Sequence, residues 1–201
     1  RLGPHAIDSI RQDTRTERSM TAQGNTGDAT HQGQPIGWDT FEAKGLGTLW
    51  LAWSEGGLLR LSFERFDEII ADPAPLPSLY SVPLERYFAG EPEDFDSVPL
   101  DLHGTEFQRR VWDALRRIPW GQVRTYGGIA QDIHSPRAMR AVGQAHHVNP
   151  IPIVVPCHRV VEAGHHLGGY GGGLERKQML LELEGVRLHE GVVQPGQMEL
   201  F

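Results

Sequence analysis

Apolar and polar side chains alternate most plainly in the first half of the chain. Thr48-Leu49-Trp50-Leu51-Ala52-Trp53 is an apolar, strand-like run, and Leu58 to Phe63 alternates, with Leu59, Leu61 and Phe63 on one face and Arg60 and Ser62 on the other. Ser54-Glu55-Gly56-Gly57 between them is a turn signal, so the pair reads as a β-hairpin. A short helix is expected around Phe66 to Ala71. Pro73, Pro75 and Pro77 then interrupt regular structure. Leu84 to Phe88 reads as a further helical turn closed by Gly90, and Pro92 to Pro99 as an acidic linker. After Gly104 the rhythm becomes helical. Phe107, Val111, Ala114, Leu115 and Ile118 share a face, with Arg109, Arg110, Arg116 and Arg117 largely off it. Thr105 with Gln108 three residues on forms a capping box, and Pro119 and Gly121 end the helix. Tyr126, Ile129, Ala130 and Ile133 mark a second helix. Ser135 and Pro136 read as the N-cap and first residue of a third, running to about His147. Two short helices joined by a tight turn after a longer one make a helix-turn-helix. Ala138, Ala141, Gly143 and Ala145 on the third helix allow close approach to another surface, and Arg137 and Arg140 can reach from it to phosphates.

Composition adds organisation. Residues 1 to 36 contain no Phe, Trp or Tyr and are expected to form a disordered tail. A domain is expected over 37–102, a second over 103–190, and a C-terminal tail over 191–201. The first residue is not Met, and Met20 is a candidate start. No apolar run approaches the ~18 residues of a membrane helix, and the N-terminus lacks the apolar core of a signal peptide. The net charge of −7 is unevenly spread: residues 37–102 hold four basic and thirteen acidic side chains, residues 103–190 eleven basic and eight acidic, with eight of the ten histidines. A polyanion would be held by the second segment and repelled by the first.

The single cysteine, Cys157, excludes an internal disulfide and a multi-cysteine zinc site, and fits a reducing compartment. It lies within Asn149-Pro150-Ile151-Pro152-Ile153-Val154-Val155-Pro156-Cys157-His158-Arg159-Val160-Val161. Ile153 to Val155 is a β-branched run and is expected to be a buried strand. It would hold the thiol rigidly at its end, where His158 and Arg159 make the local potential positive and favour the thiolate over a free thiol of pKa about 8.5. A cysteine that merely packs is the structural alternative. A metal reading from Cys157 and His158 with the pairs His146-His147 and His165-His166 matches no standard zinc spacing.

Pro156-Cys157-His158-Arg159-Val160, with Asn149-Pro150 upstream and Tyr170-Gly171-Gly172-Gly173-Leu174-Glu175-Arg176-Lys177 downstream, resembles the O6-alkylguanine-DNA alkyltransferase family. The likeness extends through Gly104-Thr105 to Trp112, Tyr126-Gly127 and Arg140-Ala141-Val142-Gly143, and more weakly to Tyr87-Phe88-Ala89-Gly90 and the Gly47 to Phe63 hairpin. It covers roughly residues 37 to 188. It implies an α/β N-terminal domain, a small β-sheet plus helix that is ribonuclease-H-like, followed by a mostly helical, winged helix-turn-helix domain. The implied activity is DNA repair by direct reversal, as a methylated-DNA–protein-cysteine S-methyltransferase. Such a protein binds duplex DNA in the minor groove, largely independent of sequence, and flips the damaged base. It takes the alkyl group from O6 of guanine, with O4 of thymine as a second target, irreversibly and once. No cofactor, metal or membrane is implied, and the protein is expected to be a cytoplasmic monomer, nucleoid-associated in a bacterium.

The resemblance assigns roles. Cys157 is the acceptor, His158 its base through a water, and Glu184 the group that orients His158. Asn149 braces the turn under the site. Tyr126 hydrogen-bonds the guanine edge and Arg140 fills the gap left by the base. Gln108, Ser135, Arg137 and Gly127 contact DNA, and Val155, Val160, Tyr170, Gly171 and Gly172 form the base pocket. The chain departs from the pattern at Gly171, where Ser or Ala is usual, so a bulkier alkyl group is expected to be tolerated. It departs also at His146-His147, where imidazoles near phosphate would gain protons and make DNA binding pH-dependent. Alkyltransferase-like proteins, which flag the lesion without transfer and usually lack the cysteine, are the alternative.

Overall fold

The computed structural model describes residues 33–67 and 71–194. The tail expected over residues 1–36 lies almost wholly outside them, as does the middle of the helix expected at Phe66 to Ala71. Strands Gly37–Ala43 (β1), Gly47–Ser54 (β2) and Gly57–Ser62 (β3) form an antiparallel meander in that order. β1 is absent from the expected elements because Trp38, Phe41 and Ala43 do not alternate strictly with its polar residues. The β2–β3 hairpin forms as expected, but a bulge at Ala52/Trp53 shifts the register. Leu58 and Leu61, rather than Leu59, Leu61 and Phe63, are therefore the β3 residues buried beneath Leu49 and Leu51.

The helix expected only from Leu84 runs over Ser78–Phe88 (α1). Pro77 stands at its N-cap with φ −58° and suits a helix start. Pro83 inside it costs one backbone bond, yet Tyr80, Leu84 and Tyr87 keep helical spacing and are buried. The stretch read as an acidic linker is no solvated linker. Phe95 and Val98 belong to the core, Leu58 donates to Pro99 O at 2.8 Å, and Asp101 donates to Leu58 O at 2.9 Å. Of its acidic residues Asp94 and Asp96 are exposed, whereas Glu93 is buried with its Oε1 accepting from Phe95 N at 3.0 Å.

Helix Glu106–Arg116 (α2) opens on the expected capping box. Thr105 Oγ1 accepts from Gln108 N at 3.2 Å, and Gln108 Oε1 accepts from Thr105 N at 2.8 Å. Helix Tyr126–Asp132 (α3) follows the short strand Arg124–Thr125 (β4). The third helix is shorter than expected, Met139–His147 (α4). Ser135 is not its N-cap: Ser135 O accepts from Ala138 N at 2.8 Å, so Ser135 to Ala138 is a separate turn, entered from His134 at φ 54°. Trp112 Nε1 donates to Ala145 O at 2.9 Å and ties α2 to α4. A 3₁₀ turn at Cys157–Arg159 leads into Val160–Val161 (β5), which pairs parallel to β4. Helix Leu174–Leu183 (α5) and a hairpin, Leu188–His189 (β6) with Val192–Val193 (β7), close the described fold. The hairpin pairs with His165 to Leu167 and passes the boundary expected at residue 190, with Val193 buried.

One main core runs from Leu49 and Leu51 of the sheet, through Tyr87 and Phe95, to Trp112, Ile129, Ile153 and Cys157. The thiol thus lies where the α/β and helical halves meet.

Candidate active site

The β-branched run before Cys157 is buried as expected but is not a strand. Pro152 to Val155 is a tight turn with Ile153 at φ 76°. A periodicity-free apolar run of three cannot separate these alternatives. Asn149 spans the turn: its Nδ2 donates to Val155 O at 2.9 Å and its Oδ1 accepts from Ile151 N at 3.1 Å. Pro156 then delivers Cys157 as the first residue of the 3₁₀ turn.

The cysteine is 4% exposed. Burial pushes its thiol up to about 11, against the pull of a hydrogen bond from Asn149 and the charge of Lys177. The expectation of a standing thiolate is therefore corrected. Arg159 does not serve the sulfur. Its Nε and Nη2 grip the Glu184 carboxylate at 2.8 and 3.0 Å, and its Nη1 donates to Ile118 O at 2.6 Å. His158 is fully buried, and burial also lowers its pKa, outweighing the attraction of Glu184. Its Nε2 lies 2.7 Å from Glu184 Oε1. Nε2 donating to the carboxylate leaves Nδ1 as the basic nitrogen, and Nδ1 has no protein partner. Burial works to raise the Glu184 carboxyl, but His158 and Arg159 outweigh it and hold it at about 2. Glu184 caps the C-terminus of α5, which fixes it in place.

Two residues to which sequence reasoning assigns no role join this network. Tyr87 Oη donates to Glu184 Oε1 at 2.8 Å. Lys177 is fully buried on α5, where its Nζ donates to Val160 O at 2.6 Å and also to Leu167 O. Burial brings it down to about 8, and its charge acts on Cys157. Both lie inside the quoted motifs, which is the only signal the sequence holds for them.

A cleft of about 740 Å³ opens onto Cys157, Tyr170, Gly171 and Gly172, and continues past Phe63 and Pro150 toward Arg60 and Asp101. Val155, Val160 and Tyr126 are not among its walls; the two valines are fully buried. A Cβ on Gly172 would lie 2.6 Å from the Phe63 ring, whereas one on Gly171 would meet nothing within 4 Å. The Tyr170 hydroxyl is buried without a protein partner. Tyr126, at the first turn of α3, is pushed up to about 12 by burial, then by Cys157 and Glu162, and stays a neutral phenol. Its ring meets that of His146 at 5.2 Å. His146 is itself buried, 2.6 Å through Nε2 from Cys157 O, and burial lowers it to about 4. Burial thus opposes the proton gain expected of His146, and of the pair only His147 is exposed.

Arg137, in the turn before α4, and Arg140, in the first turn of α4, are both exposed. Gly127 is half-buried on α3; Gln108 is half-buried with its Oε1 used in the cap. Ser135 Oγ donates to Ile133 O at 3.4 Å. Among the described residues no three His, Cys, Asp or Glu are placed to hold a metal ion, and no helix is long and apolar enough to cross a membrane.

A small α/β domain, a helix-turn-helix and one buried thiol beside a His–Glu–Arg network define a two-domain protein that carries a buried cysteine on a helix-turn-helix scaffold. Residues 41–102 match the ribonuclease-like domain of 6-O-methylguanine DNA methyltransferase, and residues 106–186 match its DNA binding domain. The chain belongs to that family. A methylated-DNA–protein-cysteine methyltransferase of Mycobacterium bovis is 50% identical over 146 residues, 71% of this chain and 84% of that protein. The one from Methanosarcina mazei is 49% identical over 140 residues, 67% of this chain and 88% of that protein. Among solved structures, Mycobacterium tuberculosis OGT in complex with DNA is 48% identical, with a TM-score of 0.69 over 74% of this chain and 92% of that one.

Proposed function

We propose that this chain repairs alkylated duplex DNA directly, by moving an alkyl group from O6 of guanine onto Sγ of Cys157. The observation that carries the reading is the chain's sole thiol, set in a cleft one residue from a buried His158 locked onto Glu184. The reaction is one displacement at the alkyl carbon. The S–C bond forms and the C–O6 bond breaks. The thiol proton leaves for the base, and the departing purine regains a proton. His158 Nδ1 takes the thiol proton through an intervening water, and Glu184 steadies the resulting imidazolium. A thiol held at about 11 is ionised only to about one part in ten thousand at pH 7, so that proton transfer belongs to the DNA-bound state. The thioether product is stable, so each chain acts once and needs no cofactor.

Tyr126, as a neutral phenol, donates to the guanine edge. Arg140 fills the gap left by the flipped base, while Arg137, Gly127, Gln108 and Ser135 face the phosphates. Tyr170, Gly171 and Gly172, which line the cleft beside Cys157, receive the base. Ala141 and Gly143 on α4 allow the close approach that a minor groove demands, and contacts to phosphate make binding largely independent of sequence. One copy suffices, and O4 of thymine is a second target. A free thiol acting on DNA belongs in a reducing compartment, the cytoplasm, with nucleoid association if the source is bacterial. A lesion-binding protein without transfer is not favoured, since the curated relatives are named methyltransferases and Cys157 is present.

The test is the mass of the intact chain after incubation with excess duplex carrying O6-methylguanine. Wild type is expected to gain one methylene, located on the Cys157 peptide. Cys157→Ala is expected to bind the duplex and keep its mass. An unchanged wild-type mass would refute the proposal.

A further inference from the structure

We infer that Tyr87, a residue of the α/β domain, is a positioning residue for the transfer: its hydroxyl holds Glu184 Oε1 so that His158 keeps its proton on Nε2 and turns Nδ1 to the thiol. The inference rests on the proposed reaction. Tyr87 is fully buried and stands at the C-terminal end of α1, ninety-seven residues from Glu184 in sequence. Among the described residues it is the side chain from before residue 103 that hydrogen-bonds into the His158–Glu184–Arg159 network.

Glu184 Oε1 accepts from three donors: Tyr87 Oη at 2.8 Å, His158 Nε2 at 2.7 Å and Arg159 Nη2 at 3.0 Å. Oε2 accepts from Arg159 Nε at 2.8 Å and from Gly121 N at 3.4 Å. The carboxylate is thus crowded with donors, and each one lowers the negative potential left for the imidazole. Tyr87 Oη also lies 3.4 Å from His158 Nε2, so the hydroxyl blocks the ring from swinging away from Oε1. Burial and the Glu184 charge raise the phenol well above its ordinary range, so Tyr87 remains a donor throughout the working pH. Its ring cannot drift: Trp120 packs edge-on at 5.2 Å and Phe95 at 5.4 Å. The hydroxyl therefore does two things at once. It aims the base, and it limits how tightly the base holds the proton it must accept and give up.

The charged and titratable groups around His158 come from several elements: Tyr87 of α1, His146 of α4, Arg159 and Cys157 of the 3₁₀ turn, and Lys177 and Glu184 of α5. Tyr87→Phe changes none of these but the phenol, and keeps the ring packing. Single-turnover transfer from an O6-methylguanine duplex, followed against pH, gives the test. Wild-type transfer in the same assay checks the reaction itself, so a failure of that reading shows separately. In Tyr87→Phe, Glu184 binds the imidazolium more strongly. The acid limb of the profile is then expected to move up by as much as about one pH unit, the worth of one hydrogen bond. In a Glu184→Gln background the same change is expected to leave the profile where Glu184→Gln put it. A Tyr87→Phe profile of wild-type shape, with a rate loss that only tracks a lower melting temperature, would overturn the inference and leave Tyr87 a packing residue. Should Tyr87→Phe not fold, fluorotyrosine placed at this position decides: its stronger donor is expected to move the acid limb down, and an unmoved limb overturns the inference.

Discussion

At the level of single side chains, the site opposes two demands. The thiol must be dry and close-packed, and it must ionise on cue. Burial wins in the resting state and holds Cys157 at about 11. Of the cations near it, Arg159 is spent on Glu184, and Lys177 is the one whose charge favours the thiolate. Cys157, His158 and Asn149 are legible in the sequence because their spacing in one short stretch has few other uses. Tyr87 and Lys177 are not. A tyrosine on an amphipathic turn looks like core, and a lysine on a helix looks solvated; only tertiary burial separates those cases. Gly171 is another matter of one atom. With open space at its Cβ, Gly171→Ser is expected to leave thermal stability and methyl transfer unchanged and to slow benzyl transfer. Equal slowing of both adducts in single-turnover assays would remove the specificity role. The histidines set the acid response. His146 titrates at about 4 in the fold against about 6.5 unfolded, so the unfolded chain binds the extra proton. Stability is therefore lost as pH falls from about 6.5 to about 4, on the order of 3 kcal/mol, and His158 adds to the loss in the same direction. Glu184, held at about 2, gives up its share as pH falls from about 4.5 toward 2. His146→Met is expected to flatten the upper part of a melting-temperature profile against pH and to leave the lower part.

Secondary structure was legible where a local signal had no competitor. α2 shows helical spacing and a reciprocal cap, and both ends fall near their expected places. Thr105→Ala is expected to cost about 1 kcal/mol in a chemical unfolding curve, the loss of a single N-cap. No change in the midpoint would mean that the helix end is held by tertiary packing instead. The misread pieces have physical reasons. α1 is hidden by its prolines, since helix formation here rests on three buried side chains rather than on propensity. The Ile153 turn looks like a strand because β-branched residues favour extended backbone, whereas the fold forces Ile153 into the left-handed region. The bulge in β2 moved the buried face of β3, which no alternation count can foresee.

Across the whole molecule, the halves differ in charge and share a core. The acidic half carries thirteen carboxylates against four basic groups over residues 37–102, and the helical half eleven basic groups against eight carboxylates over residues 103–190. Repulsion from the first half orients DNA toward the second. Yet Phe95, Tyr87 and Trp112 lie in one apolar cluster with Cys157, so the electrostatic boundary is not a folding boundary. A chain beginning at residue 103 is expected to lose cooperative unfolding, as read by near-ultraviolet circular dichroism, because it strips Tyr87 from Glu184 and Trp120, and Phe63 from Tyr170. A sharp two-state melt of that fragment would show the helical half to be self-sufficient.

The separation of twenty-six residues between His158 and Glu184 has a consequence for synthesis. As a ribosome extends the chain, the sulfur emerges well before the carboxylate that completes its base. A reagent that can be spent only once is thus expected to stay unarmed during translation and to become chemically competent only when α5 has docked.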